Sequence, residues 1–143
     1  MLTSSLAQKR RETTLADRHG NLMNGRIMKI AAFRVLLAAI FVAIATYTLV
    51  VISDHGINLL SVFFGDMAKM AWPGQFNLDF MCMLILSGLW VSWRHQFSAA
   101  GIVLGLLAFL GGALFLSAYL LVESFRTGGD GKALLLGSSR CTS

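Results

Sequence analysis

"AAGIVLGLLAFLGGALFLSAYLLV", residues 99–122, contains no charged residue and no polar interruption beyond one serine and one tyrosine. A helix of this length reaches about 36 Å, enough to cross the ~30 Å hydrocarbon layer of a bilayer. Its apolar residues are continuous rather than confined to one stripe, so such a helix has no polar face to offer water. The stretch therefore predicts a membrane span. Gly101, Gly105, Ala108 and Gly112 recur at i, i+4, i+7 and i+11 on one face. A ridge of small residues lets a second backbone approach closely, so these four are the candidate helix-packing residues. The ridge is silent about chemistry.

Working back along the chain, "RHQFS" at 94–98 reads as a tight connection, and before it lies a second apolar run. If Asn77 capped that helix, residues 78–93 would give only about 24 Å. If Pro73 opens it, where the missing N–H costs nothing, the length becomes about 30 Å. Trp72 at one end, with Trp90 and Trp93 at the other, then form two aromatic belts. The longer helix is preferred, with the span at about 74–93. Residues 57–71 carry a narrow polar stripe of Asn58, Ser61, Gly65 and Lys69 among leucines, phenylalanines and methionines. This predicts a short interfacial amphipathic helix. A first span covers about 30–52, with Arg34 able to snorkel to the headgroups. A secretory signal is the rival reading, because "AIA" at 43–45 resembles a cleavage site; the apolar run continuing to Ile52 argues against it. Residues 1–27 and 127–143 are expected to be flexible tails, and Met28 would make a natural start.

The expected fold is all-α: an integral membrane bundle of three transmembrane helices plus one short interfacial amphipathic helix. Composition agrees, since 56% of residues are hydrophobic and 13% charged, against roughly 25% charged in soluble domains. The net charge of +5 is concentrated ahead of the first span in Lys9, Arg10, Arg11, Arg18, Arg26, Lys29 and Arg34. A basic block there sets membrane orientation, and without interleaved aromatics it is no nucleic-acid stripe. With three crossings the N-terminus is expected inside and the C-terminus outside. Those seven residues and Arg94 would then lie inside, against Lys69, Arg126, Lys132 and Arg140 outside.

Under that topology the outer end of the bundle collects polar groups. Asp79 and Gln75 share a face of the second span, Tyr47 ends the first, and Tyr119 and Glu123 end the third. These are the candidate intramembrane polar residues, because an ionisable group at membrane depth is rare and commonly functional. The plainer reading of Asp79 is a first-turn acid favoured by the helix dipole, or a hydrogen-bonded pin between helices. Arg94 and His95, at a helix end, are expected to face headgroups. His55 and His95 are expected a membrane thickness apart, so no bis-histidine site forms in one copy. Cys82 and Cys141 form no CxxC pair. "GGDGKA" at 128–133 fails the phosphate-loop pattern, with Arg126 in place of the first glycine and Ala133 after the lysine. No catalytic constellation, metal site or cofactor is expected.

A first span, a short extramembrane helix, an acid opening the second span ("WPGQFNLDF"), a tryptophan-rich end ("GLWVSWRH") and a glycine-bearing third span occur in order. The layout of residues 28–126 is similar to small bacterial membrane proteins catalogued only as domains of unknown function. The resemblance implies a bacterial inner-membrane location and no particular activity. The expected partners are the lipid bilayer and either further copies or a larger membrane complex, with no nucleic acid. The expected role is a non-enzymatic accessory, assembly or self-associating membrane subunit. The alternatives are an oligomeric proton-linked transporter using Asp79, and a membrane enzyme acting on an apolar or lipid substrate through Asp79, Tyr119 and Glu123.

Overall fold

The computed structural model describes residues 2–137, with side chains described for 18, 20 and 22–137. The chain is all-α, with no strand among the described residues: α1 (Leu2–His55), α2 (Leu59–Ala68), α3 (Trp72–Arg94), α4 (Ala99–Arg126) and α5 (Gly131–Leu136). It divides into two units, 1–36 and 37–143, and α1 runs through both. Three helices are long and apolar enough to cross a membrane: Leu22–His55, Trp72–Arg94 and Ala99–Arg126. α2 is the shorter apolar helix.

The segment expected as an N-terminal tail is helical from Leu2. The side chains of Lys9, Arg10, Arg11 and His19, and all of Cys141, lie outside the described residues. At the other end, α5 forms where the sequence suggested a flexible tail. Asp130 caps it, its carboxylate accepting from the N–H groups of Lys132 and Ala133.

α3 starts at Trp72 with Pro73 in its first turn, where proline sacrifices no hydrogen bond. It packs on α2 at one end and on α4 along its length. At the α2 contact Gly74 is buried, and a Cβ there would meet the Asp66 carbonyl oxygen and come within 2.8 Å of Met67 Cα. Asn77 donates to the Phe63 carbonyl at 3.1 Å, closing the same contact. The connection to α4 is held by Phe97 N–H donating to Ser92 O, and Ser98 caps α4 by accepting from Gly101 N–H. Gln96 and Phe97 both adopt left-handed backbone there.

The third apolar helix is not one straight rod. Gly112 has φ 53° and ψ −141° inside α4, a combination that glycine tolerates and L side chains avoid. The arm before it, 99–111, runs antiparallel to α3. A Cβ on Gly105 would strike Ser92 Oγ and the Gly88 carbonyl oxygen, the latter at 2.6 Å. Gly112 itself abuts Leu84 and Phe80. The arm after it, 113–126, does not continue toward the start of α3 but returns to its end. Tyr119 lies against Trp90, Val91 and Ala108, with Phe115, Leu104 and Leu120 packed around. α4 is a helical hairpin.

Candidate functional site

Reversal at Gly112 brings the end of α4 to the end of α3, and there the sequence places a charge from each. Arg94, the last residue of α3, is buried at 4% exposure. Its Nη2 donates to Glu123 Oε2 at 2.7 Å and to the Ala133 carbonyl at 3.3 Å. Its Nε donates to the Leu134 carbonyl at 2.8 Å. Its Nη1 donates to Tyr119 Oη at 2.7 Å and lies 3.4 Å from His95 Nε2. One guanidinium thus ties α3, α4 and α5 together through four hydrogen bonds. Gly137, just past α5, is buried against it, since a Cβ there would come within 2.9 Å of the Arg94 carbonyl oxygen.

Tyr119 completes a relay of contacts. Arginine can only donate, so the phenol oxygen accepts from Arg94. The same oxygen lies 2.8 Å from His95 Nε2, and which of the two donates follows from the imidazole tautomer. Tyr119 also stacks on Phe115 and meets Trp90 edge-on, while the Arg94 guanidinium carbon lies 5.5 Å from its ring centroid. Glu123 serves two cations, Arg94 within and Arg126 at 3.2 Å on the outside, where the Arg126 side chain is 72% exposed. Thr127 Oγ1 donates to the Glu123 carbonyl at 2.9 Å. No buried side-chain polar atom among the described residues lacks a partner. A cleft of about 500 Å³ opens beside the knot, lined by Arg94, His95, Ser98, Glu123, Arg126 and Thr127 among others.

Several sequence expectations are corrected by this geometry. Arg94 and His95 do not simply face headgroups; Arg94 is buried and paired. Tyr119 and Glu123 do not join Asp79 at one end. They sit at Arg94, fifteen residues further along α3, or about 22 Å away. The physical reason is the same in each case: the turn at Gly112 reverses the last arm of α4. Of the ridge, Gly101, Gly105, Ala108 and Gly112 are all buried within the chain. Gly105 meets Gly88 and Gly101 meets His95, so the ridge is filled from inside.

Asp79 and Gln75 are exposed on α3, and no described residue hydrogen-bonds or ion-pairs with Asp79. Tyr47, on α1, is 75% exposed and shares no hydrogen bond with it among the described residues. Sequence reasoning missed Arg94 as the hub. The signals were a glycine pair, Gly111–Gly112, halfway along an overlong apolar run, and a lone acid, Glu123, near the end of that run.

Among the described residues no cluster of His, Cys, Asp and Glu could hold a metal ion. The pairings in the knot hold the ends of α3, α4 and α5 together. No family model, curated protein or solved structure matches the chain.

Proposed function

We propose that the chain is a non-enzymatic subunit of a larger membrane assembly, docked sideways through the Asp79 face of α3. The observation that carries this is a contrast. Arg94, Tyr119, Glu123 and Asn77 find partners inside the chain, whereas Asp79 and Gln75 stand exposed among the apolar side chains of α3. A carboxylate turned toward hydrocarbon is costly, and in membrane proteins such groups face other protein or water. The Asp79 face is therefore a surface waiting for polar cover from another chain. The small-residue ridge no longer supports self-association, being used within α3 and α4.

The location that fits is a bacterial inner membrane, with both termini in the cytoplasm. In a hairpin α4 the residues after Glu123 return to the side of Arg94. Arg94, Arg126 and Lys132 then join the seven basic residues that precede the first span, while Lys69 lies on the far side, paired with Asp66 at 2.9 Å. That distribution obeys the positive-inside rule far better than three crossings do.

Mild-detergent isolation from native membranes followed by intact-complex mass measurement tests the reading. A stoichiometric partner that Asp79→Asn releases, while the chain itself accumulates normally, is the expected result. A lone monomer in both wild type and variant would sink it. The transporter alternative would place Asp79 on a path shared between copies; it predicts proton flux in reconstituted vesicles that Asp79→Asn abolishes. The enzyme alternative loses its constellation, because Asp79 is remote from Tyr119 and Glu123.

A further inference from the structure

The described residues that line the cleft beside the Arg94 knot carry an excess of positive charge. Two guanidiniums, Arg94 and Arg126, face one carboxylate, Glu123. Arg94 is largely spent, because it is buried and already donates to Tyr119, Glu123, Ala133 and Leu134. Among the described residues Arg126 makes a single hydrogen bond, at 3.2 Å, and its side chain is 72% exposed. Most of its fork is therefore available, and a guanidinium fork matches the oxygens of a phosphate. His95, Ser98 and Thr127 supply further polar atoms around the same space. The depth is informative too. The cleft lies immediately past Trp90 and Trp93, and tryptophans at a span's end mark the headgroup level of a bilayer. Basic pockets at helix ends on the cytoplasmic side are where anionic headgroups are held.

We propose that this cleft binds the phosphodiester of an anionic phospholipid, with Arg126 as its principal donor. A phosphodiester carries one negative charge, which balances the single excess positive charge of the cleft. Glu123, kept in place by Arg94, sets that balance by cancelling one of the two guanidiniums. Binding does not depend on the Asp79 face, and the variants that test the two ideas are different.

The test uses the full-length chain in nanodiscs of phosphatidylcholine doped with phosphatidylglycerol, with lipid retention read by native mass spectrometry. Wild type is expected to retain phosphatidylglycerol in preference to phosphatidylcholine. Arg126→Gln should lower that retention by roughly fivefold or more. Lys132→Gln removes the same charge nearby but outside the cleft lining, and should leave retention near wild type. Arg126 is exposed and Glu123 keeps Arg94, so the variant is expected to fold; an unchanged thermal midpoint checks this. Equal effects of the two variants would reduce the binding to general surface charge and overturn the site. Displacement of the lipid by free glycerol phosphate would overturn the lipid assignment in favour of a soluble phosphate.

Discussion

Arg94 reports how a charge survives at the edge of a bilayer. Its side chain is nearly sealed, and that is tolerable because a carboxylate, a phenol and two carbonyls meet it in good geometry. Removing one partner of a buried pair leaves the other uncompensated, at a cost of ~3–5 kcal/mol. Arg94→Met is therefore expected to lower the unfolding midpoint strongly in detergent melts. Adding Glu123→Leu should recover part of the loss, since it removes the orphaned carboxylate. An additive double variant would contradict the pairing. Asp79→Leu is the counterpart: with no partner among the described residues, its effect on the same melts should stay within about 0.5 kcal/mol. Asp79 was legible as an unusual position from sequence, because an acid inside an apolar run stands out. Arg94 was not, because a basic residue at a helix end is what headgroups ordinarily explain. Its partner lies 29 residues away on an arm whose direction the sequence does not state.

Helix α4 is where element-scale reading and structure diverge. Hydropathy registers that residues 99–122 are apolar and is blind to direction, so one rod and two returning arms look identical. Gly112 reads equally well as the last step of a packing ridge and as a turn. The start of α3 was legible, because Pro73 and Trp72 together leave little choice. Two predictions belong here. Gly105→Leu should destabilise the isolated chain by about 1–3 kcal/mol or more without altering its oligomeric mass, because the new side chain meets Gly88 and Ser92 of the same molecule. Spin labels at Phe97→Cys and Phe125→Cys, both exposed, with Cys82 and Cys141 replaced by serine, measure the reversal directly. On a straight helix they would be about 42 Å apart; a hairpin brings them to the same end and much closer. A long distance would refute the turn.

For the whole molecule, the all-α membrane character was legible throughout, because three long apolar runs leave no other solvent than lipid. Sidedness was legible only as far as the number of crossings was known. A fluorescent protein fused to the C-terminus is expected to mature and fluoresce, as it does in the cytoplasm, and alkaline phosphatase at the same place to stay inactive. The opposite pattern would require α4 to cross. The returning arms carry a further consequence. Residues 99–111 form a helix of about 20 Å, roughly two-thirds of the hydrocarbon thickness. In the proposed orientation both arms of α4 would enter from the Arg94 side and stop short of the opposite monolayer. They would then displace acyl chains mainly from one leaflet, while α3 would displace them from both. A protein that takes up unequal area in the two monolayers acts as a wedge. It should concentrate in small, strongly curved vesicles over large flat ones when both are offered in sedimentation or fluorescence sorting assays, and straightening α4 would erase that preference.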